Sequence, residues 1–468
     1  MSNCALAKKC GGCAYINDTY ETSLKAKQKE VSALLGRFAK VNDIIPADDP
    51  YCYRNKVHAA YVREKGKIVY GTYEEGSHRI VQNDGCLIED KRAASILKTI
   101  SKLITSFKLM IYDEKIGRGF YRRTLLRFAS TGEIMVVLVT AAPVFPGKKD
   151  FVRLLLKEHP EITTVVINVN DRRDSMILGN RSTTAYGKGY IVDKVLGRSF
   201  KISPSAFFQI NHDQTEKLYS KAIELCDFKG DEKVLDAYCG TGSIGICLAS
   251  KVKKVTGVEL NREAVDCARD NARHNDLKNV EFTCMDCTQY MQKNKGKMDF
   301  DVIVLDPPRA GTTNEFINAA VDLNPSKICY ISCDPKTLAR DLGIFAKKGY
   351  KAREIYPLDM MPFTEHVETV CLLSQRKPDT TIEVDLDISE LEVSSAETKA
   401  TYEEIKSYVL KKFGLKVSNL YIAQVKRECG IVERINYNLP KTEGNRVPQC
   451  PEDKRKAIKD AFIHFQMI

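Results

Sequence analysis

Two polar loops follow apolar runs in the second half of the chain and could act together in one reaction. Residues 327–332 predict a buried strand, and the thiol of Cys333 follows directly. Residues 301–305 predict another strand, which ends in the carboxylate of Asp306. Ligands of open α/β sheets bind beyond the carboxyl ends of the strands. We therefore expect both groups to lie over a ligand, although a free cysteine is more often a small buried apolar side chain.

A glycine-rich turn earlier in the chain indicates a cofactor site. Residues 234–239 predict a strand that leads into G-x-G-x-x-G at residues 240–245, where a helix begins. These glycines permit a tight turn and a close approach of the backbone to a ligand. The next strand ends in Glu259, which is placed to bind two ribose hydroxyls. NAD and S-adenosylmethionine (SAM) both fit, and Asp236 and Asp306 favour SAM.

Four cysteines near the N-terminus have the residue type and spacing of a metal site. Cys4, Cys10 and Cys13 follow a C-x5-C-x2-C pattern, and Cys86 lies in a turn-like Asn-Asp-Gly-Cys segment. Four thiolates suit either an iron–sulfur cluster or zinc. The spacing of five is unusual for zinc pairs, so the pattern favours the cluster.

Composition and charge limit the class of protein. The chain has 468 residues, enough for roughly three domains, and 43% of them are hydrophobic. A net charge of +11 favours a polyanionic partner, although a moderately basic cytosolic enzyme would also fit. No apolar run reaches the length of a membrane span, and the N-terminus lacks a signal-peptide core. We expect a cytoplasmic monomer without a membrane partner, whose cysteines stay reduced.

The first 200 residues are mostly strand-like after an initial helix. Residues 19–38 carry apolar positions at helical spacing, and we expect this helix to pack on the catalytic domain. Further elements are predicted by periodicity: strands at 57–62, 68–73, 134–140 and 164–168, and a helix at 93–107. Basic and aromatic residues interleave at 51–56 and 120–123. Such segments are typical of phosphate contacts with base stacking, or of a solvated sheet face with core aromatics.

Taken together, the motifs resemble the RNA uracil-5-methyltransferase family, which makes 5-methyluridine in 23S rRNA and tRNA. The matching stretches are 207–211 (FFQIN), 236–242, 305–309, 332–335 (SCDP) and 366–369 (HVET), with 53–56 and 74–79 in the central part. The resemblance covers residues 4 to about 375 and implies an α/β fold. This fold comprises a doubly wound SAM-methyltransferase sheet and a smaller β-rich central RNA-binding domain.

The resemblance also implies roles for individual residues. Cys333 matches the nucleophile of the family, and Glu368 matches its general base. The residues that match its SAM contacts are Gln209, Tyr238, Glu259 and Asp306. Cys4, Cys10, Cys13 and Cys86 match the ligands of a [4Fe–4S] cluster in the rRNA-modifying branch, whereas the tRNA branch usually lacks them.

We expect four segments. Residues 1–200 would carry the cysteines and the central RNA-binding domain, 201–376 the catalytic domain, 377–400 an acidic linker and 401–468 a basic helical module. The small N-terminal β-barrel of many family members is expected to be absent. Three helices, at 401–413, 418–429 and 451–465, predict either a helix-turn-helix-like nucleic-acid module or a solvated helical appendage.

The expected activity is SAM-dependent methylation of uracil C5 in RNA, with 23S rRNA as the substrate. A thiolate that adds to C6 makes C5 nucleophilic, and a base must later remove the C5 proton. For Cys333 to ionise, a helix N-terminus after Pro335 would help and Asp334 would oppose. The alternatives are a tRNA uracil methyltransferase, a SAM enzyme acting on a protein glutamine or a DNA base, and a non-catalytic iron–sulfur RNA-binding protein.

Overall fold

The computed structural model describes residues 4–74, 77, 79–114, 116–174, 176–375, 402–429 and 450–465. The chain divides into two compact units, Met1–Lys377 and Pro378–Ile468. The linker predicted at 377–400 lies outside the described residues, as do Glu75, Gly76 and His78 of the family-like segment 74–79.

The described strands of the larger unit agree with most of the predicted ones. The first ten are β1 (Lys40–Val41), β2 (Lys56–Glu64), β3 (Lys67–Tyr73), β4 (Ile80–Val81), β5 (Tyr121–Phe128), β6 (Ile134–Thr140), β7 (Thr164–Val169), β8 (Arg181–Tyr186), β9 (Ile191–Val195) and β10 (Arg198–Ile202). The others are β11 (Lys233–Ala237), β12 (Lys254–Glu259), β13 (Val280–Cys284), β14 (Val302–Leu305), β15 (Lys327–Ser332), β16 (Tyr350–Leu358) and β17 (Glu368–Gln375).

The α-helices of the larger unit mostly follow a strand. They are α1 (Ala7–Cys10), α2 (Tyr20–Leu35), α3 (Ala93–Ser106), α4 (Lys148–Glu158), α5 (His212–Cys226), α6 (Ser243–Leu248), α7 (Arg262–His274), α8 (Cys287–Asn294), α9 (Asn314–Asp322) and α10 (Pro335–Lys347). Several begin at a side chain that accepts a backbone N–H, as at Thr19, Asn211 and Asp334. Such caps satisfy amides that have no partner within the helix.

In the described residues, eight strands form a sheet in the order β1-β16-β17-β15-β14-β11-β12-β13. Neighbours pair in parallel except β17, which runs antiparallel to β15 and β16. This is the doubly wound methyltransferase sheet predicted from the sequence, and β16 and β17 form an antiparallel pair within it. Helix α2 packs against α10 and β16, and β1 pairs with β16 at Lys40 and Val41. Helix α2 and strand β1 thus belong to this part of the structure.

A separate sheet, with the described order β4-β3-β2-β5-β6-β7-β8, forms the central part of the larger unit. One face packs on α3 and α4 through residues such as Val57 and Leu126. The other face contributes Leu125, Val137 and Val166 to a core shared with β9, β10 and α5. The central sheet therefore packs directly against the part of the chain that leads into the eight-stranded sheet.

The smaller unit contains the three predicted helices, α11 (Tyr402–Phe413), α12 (Asn419–Glu428) and α13 (Glu452–His464). They pack around a small apolar core that includes Val409, Ile422 and Phe462. In the described part of both units, none of the helices combines the length and apolar character needed to span a bilayer.

Candidate functional site

A cavity of about 740 Å³ lies at the carboxyl ends of β11, β12, β14 and β15. The strand order reverses between β11 and β14, which is the point where open α/β sheets bind ligands. The cavity is lined by all six residues that the sequence suggested for cofactor binding and catalysis: Gln209, Tyr238, Glu259, Asp306, Cys333 and Glu368. Residues that are far apart in the sequence therefore line the same cavity.

The glycine turn forms the floor of the cofactor half of the cavity. Tyr238 has a φ of +60° and Gly242 a φ of +77°, so the chain turns sharply after β11. A Cβ atom on Gly242 would lie 2.6 Å from the ring of Phe282, which explains why glycine is needed there. Beneath the turn, buried Asp236 accepts a hydrogen bond from the Gly245 N–H at 2.9 Å. The Asp236 side chain therefore stabilises the conformation of the turn and does not contact a ligand.

Glu259 is oriented by the backbone on both sides of the turn. Its Oε2 accepts from the Gly240 N–H at 3.2 Å, and its Oε1 accepts from the Asn261 N–H at 2.7 Å. The carboxylate at the end of β12 is therefore fixed at the cavity wall. Tyr238 also lines the cavity, and its ring centroid lies 5.1 Å from that of the Phe316 ring.

The segment 203–210 forms another wall of the cavity and carries Gln209. Asn55 binds this segment twice: its side chain donates to the Gln209 carbonyl at 3.0 Å, and its N–H donates to the Ile210 carbonyl at 2.9 Å. Phe207 on the same wall leaves 64% of its surface exposed. The central sheet thus positions one wall of the cavity.

Cys333 follows β15 directly, one residue before the cap of α10. The Asp334 carboxylate accepts from the Lys336 N–H at 2.8 Å, so it serves its own helix. Burial raises the pKa of the Cys333 thiol to about 11; the charges of Glu368 and Asp306 add to this, and Arg309 opposes them. The helix N-terminus therefore does not bring the thiol pKa below its ordinary value.

Glu368 is the first residue of β17 and is 5% exposed. Burial raises its pKa to about 8, with a further contribution from Asp306, while Arg309 lowers it. Burial likewise raises the pKa of Asp306 to about 7. Two carboxyl groups in one poorly solvated cavity disfavour each other's ionisation, and such groups can carry protons near neutral pH.

Arg309 is a cavity residue to which the sequence reasoning assigned no role. Its guanidinium lies 3.1 Å from Nε2 of His366, and its charge acts on both Cys333 and Glu368. The available signal was its place directly after Asp306-Pro-Pro at a strand end.

The four N-terminal cysteines line a separate cavity of about 50 Å³, together with apolar residues such as Ile16 and Ile88. Burial raises the pKa of Cys13 to about 12, and the neighbouring thiols of Cys86, Cys10 and Cys4 add to this. Four thiols around one cavity are the residue types that a thiolate-bound metal centre requires. Nevertheless, as the described side chains stand, no group of three or more His, Cys, Asp or Glu could hold a metal ion.

Two residues of the predicted basic and aromatic segment 120–123 lie in the interior of the larger unit. Arg122 is buried, donates to the carbonyls of Asn170 and Arg172 at 2.8 Å, and pairs with Glu114 at 2.6 Å. Tyr121 is also buried. Phosphate contacts by Arg122 and stacking by Tyr121 are therefore excluded, since both belong to the packed interior.

Comparison with known proteins gives consistent matches. The sequence model of the family described as tRNA (uracil-5-)-methyltransferase matches residues 19–376. An uncharacterized RNA methyltransferase of Clostridium tetani is 40% identical over 79% of this chain and 82% of its own length. One of Clostridium acetobutylicum is 39% identical over 80% and 83%. The crystal structure of Pyrococcus abyssi tRNA (uracil-54, C5)-methyltransferase in complex with S-adenosyl-L-homocysteine is similar, with a TM-score of 0.65 and 28% identity. That match covers 76% of this chain and 84% of the other.

Proposed function

Because this chain belongs to the tRNA (uracil-5-)-methyltransferase family of RNA methyltransferases, we propose that it transfers the methyl group of SAM to C5 of a uridine in 23S rRNA. The observation that carries the proposal is the single cavity lined by a thiol, a buried carboxyl group and the four candidate cofactor residues. The S-adenosyl-L-homocysteine bound to the Pyrococcus abyssi enzyme supports SAM as the methyl donor.

In the proposed mechanism, Cys333 acts first and Glu368 last. The Cys333 thiolate adds to C6 of the uracil, and electron density moves to C5, which takes the methyl group and releases S-adenosyl-L-homocysteine. Glu368 then removes the C5 proton, and the C6–S bond breaks to return the thiolate. With a pKa of about 8, Glu368 is a stronger base than an ordinary carboxylate and is suited to this proton transfer.

The candidate cofactor residues have separate tasks in this proposal. Glu259, oriented by two backbone N–H groups, would accept hydrogen bonds from the ribose hydroxyls of SAM. Gln209, Tyr238 and Asp306 would contact the rest of the donor along the cavity wall. The target uridine must leave any base stack to reach Cys333.

The decisive experiment separates the two catalytic residues by the step at which each variant stops. Wild type, Cys333→Ala and Glu368→Gln are incubated with radiolabelled SAM and substrate RNA and then run on a denaturing gel. Glu368→Gln should form a labelled, slow-migrating protein–RNA band, because methyl transfer precedes proton removal. Cys333→Ala should give neither this band nor methylated RNA. Normal turnover by Glu368→Gln would show that another residue is the base.

The choice of 23S rRNA rests on the four N-terminal cysteines, which resemble those of the rRNA-modifying branch. A tRNA substrate is the second candidate, because the matching family and the Pyrococcus abyssi enzyme are both described by tRNA. Unmodified 23S rRNA fragments and tRNA transcripts should be compared with the same enzyme and SAM. Methylation confined to tRNA would refute the rRNA assignment.

We further propose that Cys4, Cys10, Cys13 and Cys86 bind a structural [4Fe–4S] cluster. The support is the four-thiol lining of one cavity and the C-x5-C-x2-C spacing. No step of the methyl transfer described above uses it. Anaerobically purified protein should be brown with about four irons per chain, and Cys86→Ser should lower the iron content. A colourless protein with stoichiometric zinc would refute the cluster.

The domain roles remain part of the proposal. We assign RNA binding to residues 1–200 and catalysis to 201–376, with 401–468 as a basic helical module joined by 377–400. The protein would act on RNA as a cytoplasmic monomer, and size-exclusion chromatography with light scattering tests the oligomeric state.

A further inference from the structure

Arg309 lies between the cavity of about 740 Å³ and a smaller one of about 200 Å³, and both are also lined by Cys333. The guanidinium is exposed and lies 3.1 Å from Nε2 of His366. Among the described side chains, His366 is its one hydrogen-bond partner. A long exposed side chain has many rotamers, so the direction of this guanidinium depends on that partner.

The contact between Arg309 and His366 has only one chemically consistent form. A guanidinium donates hydrogen bonds and cannot accept them, so Nε2 of His366 carries a lone pair and the proton of the neutral ring is on Nδ1. A neutral ring agrees with its surroundings. Burial, and then the Arg309 charge, lower the pKa of His366, while Glu365 raises it. Lys27 and Arg54 act in the same direction as burial.

The backbone around His366 is fixed by buried groups. The His366 N–H donates to Thr364 Oγ1 at 3.2 Å, and the Thr364 hydroxyl donates to the Met361 carbonyl at 2.8 Å. Thr364 and Val367 are each 3% exposed, and Glu368 follows directly. A packed loop therefore holds the ring that orients the flexible guanidinium.

The charge of Arg309 favours ionisation of the Cys333 thiol, whereas the nearby carboxyl groups oppose it. After burial, the charges of Glu368 and Asp306 raise the pKa of this thiol, and Arg309 lowers it. On helix α10, the Lys336 ammonium lies 3.9 Å from a glutamate of α2, so its charge is already paired. Formation of the thiolate therefore depends on where the guanidinium of Arg309 points.

We propose that His366 is a positioning residue that holds the guanidinium of Arg309 beside the Cys333 sulfur. This inference rests on the proposed function, in which the Cys333 thiolate adds to C6 of uracil. It adds to that function the group that keeps a positive charge next to the nucleophile. His366 acts only through Arg309, so the effect of its loss should depend on that arginine.

The test measures the charge beside Cys333 with two alkylating probes, anionic iodoacetate and neutral iodoacetamide. Both probes react with the same thiolate, so the ratio of their rates reports the local charge and not the thiolate fraction. Full-length protein is alkylated in the folded state, quenched and digested with trypsin. Mass spectrometry then follows the peptide 328–336, and its fragment ions separate Cys333 from Cys329, which is fully buried.

His366→Leu should lower the ratio of the iodoacetate rate to the iodoacetamide rate by about threefold at low salt. His366→Asn, whose side chain is too short to reach the guanidinium, should do the same. His366→Gln should keep the wild-type ratio, because its amide oxygen can accept in place of Nε2. Arg309→Leu should lower the ratio at least as far, and adding His366→Leu to it should lower it no further. His274→Leu, at the exposed end of α7, is the control and should not change the ratio.

Two results would overturn the inference. If His366→Leu and His366→Asn change both rates but leave the ratio as in wild type, His366 has only a structural role. If the double variant has a lower ratio than Arg309→Leu, His366 acts without the arginine. The alkylation needs neither RNA nor SAM. A wild-type protein that shows the expected ratios but forms no adduct with RNA would therefore refute the proposed function and leave the positioning role in place.

Discussion

Replacing Lys27 with methionine should destabilise the larger unit strongly. Lys27 Nζ donates to Asp359 Oδ1 at 2.5 Å and to the Met361 carbonyl at 3.0 Å. The two side chains are 1% and 0% exposed, so water screens neither charge. Removing one partner of such a buried pair costs about 3–5 kcal/mol, since the other charge remains without compensation. Methionine keeps the length of the side chain, so little packing is lost.

A double variant separates the pair from its surroundings. The pKa of Lys27 is lowered, because burial outweighs the attraction of Asp359. The pair itself therefore adds little net stability, and Lys27→Met with Asp359→Asn should cost at most about 2 kcal/mol. Lys29→Met, on the exposed side of α2, serves as the control and should change stability by less than about 0.5 kcal/mol.

The assay is urea unfolding followed by circular dichroism, since the chain contains no tryptophan. The transition of the larger unit is compared between variants, because the smaller unit can unfold separately. If Lys27→Met lowers the free energy of unfolding no more than Lys29→Met does, the argument is refuted. So would a double variant that loses as much stability as the single one.

The same loop continues into the candidate base. Residues 359–367 connect β16 to β17, which begins at Glu368, and Tyr53 donates to the Pro362 carbonyl at 3.1 Å. Folded Lys27→Met protein should consequently still transfer methyl groups but release product slowly. A gel of the kind described for Glu368→Gln should then show the labelled protein–RNA band accumulate.

Four further outcomes follow from the described site and from the basic helical module at 401–468. The rate of covalent adduct formation should rise with pH between 6 and 10, because Cys333 has a pKa of about 11. The rate is measured on rapid-quench gels at fixed salt, and a rate that does not change with pH would contradict this prediction. The pKa of Glu368 is about 8 in the folded protein, and its ordinary value is 4.5. The contribution of Glu368 to the free energy of unfolding therefore falls as the pH rises from 4.5 to 8. Glu368→Gln should therefore be more stable than wild type by about 1–3 kcal/mol at pH 8 and equal to it near pH 4 in urea titrations. Gly242→Ala should weaken S-adenosyl-L-homocysteine binding at least tenfold in calorimetry, since its Cβ would lie 2.6 Å from Phe282. Removal of residues 378–468 should weaken RNA binding and flatten its salt dependence; an unchanged slope would show that the basic helical module does not contribute to RNA binding.

Local pattern determined most of the secondary structure and indicated where the cavity lies. The run at 327–332 is strand β15, and the glycine turn at 240–245 follows strand β11 as predicted. Strand periodicity and turn residues act over a few neighbours, so they can be recognised in the sequence. Since parallel strands bring their carboxyl ends to one edge, the positions of Asp306 and Cys333 after two strands already indicated a shared site.

The tertiary structure decided which polar groups have partners. Lys27 and Asp359 are 332 positions apart, and nothing near Lys27 in the sequence distinguishes it from the exposed Lys29. Arg122 and Arg123 are adjacent, yet one is buried among carbonyls and the other lies over the Tyr73 ring. A register shift between Tyr121 and Arg123 interrupts the strand period there, so only the packing around each side chain determines what surrounds it.

The lowered pKa of Lys56 and the raised pKa of the cavity acids have the same origin. The sequence showed Lys56 and Arg127 as two ordinary basic residues 71 positions apart. Pairing of β2 with β5 placed them opposite each other, and burial left them with little water to separate their charges. Charge interactions depend on distance and on the surrounding dielectric, and both are set only when the chain has folded.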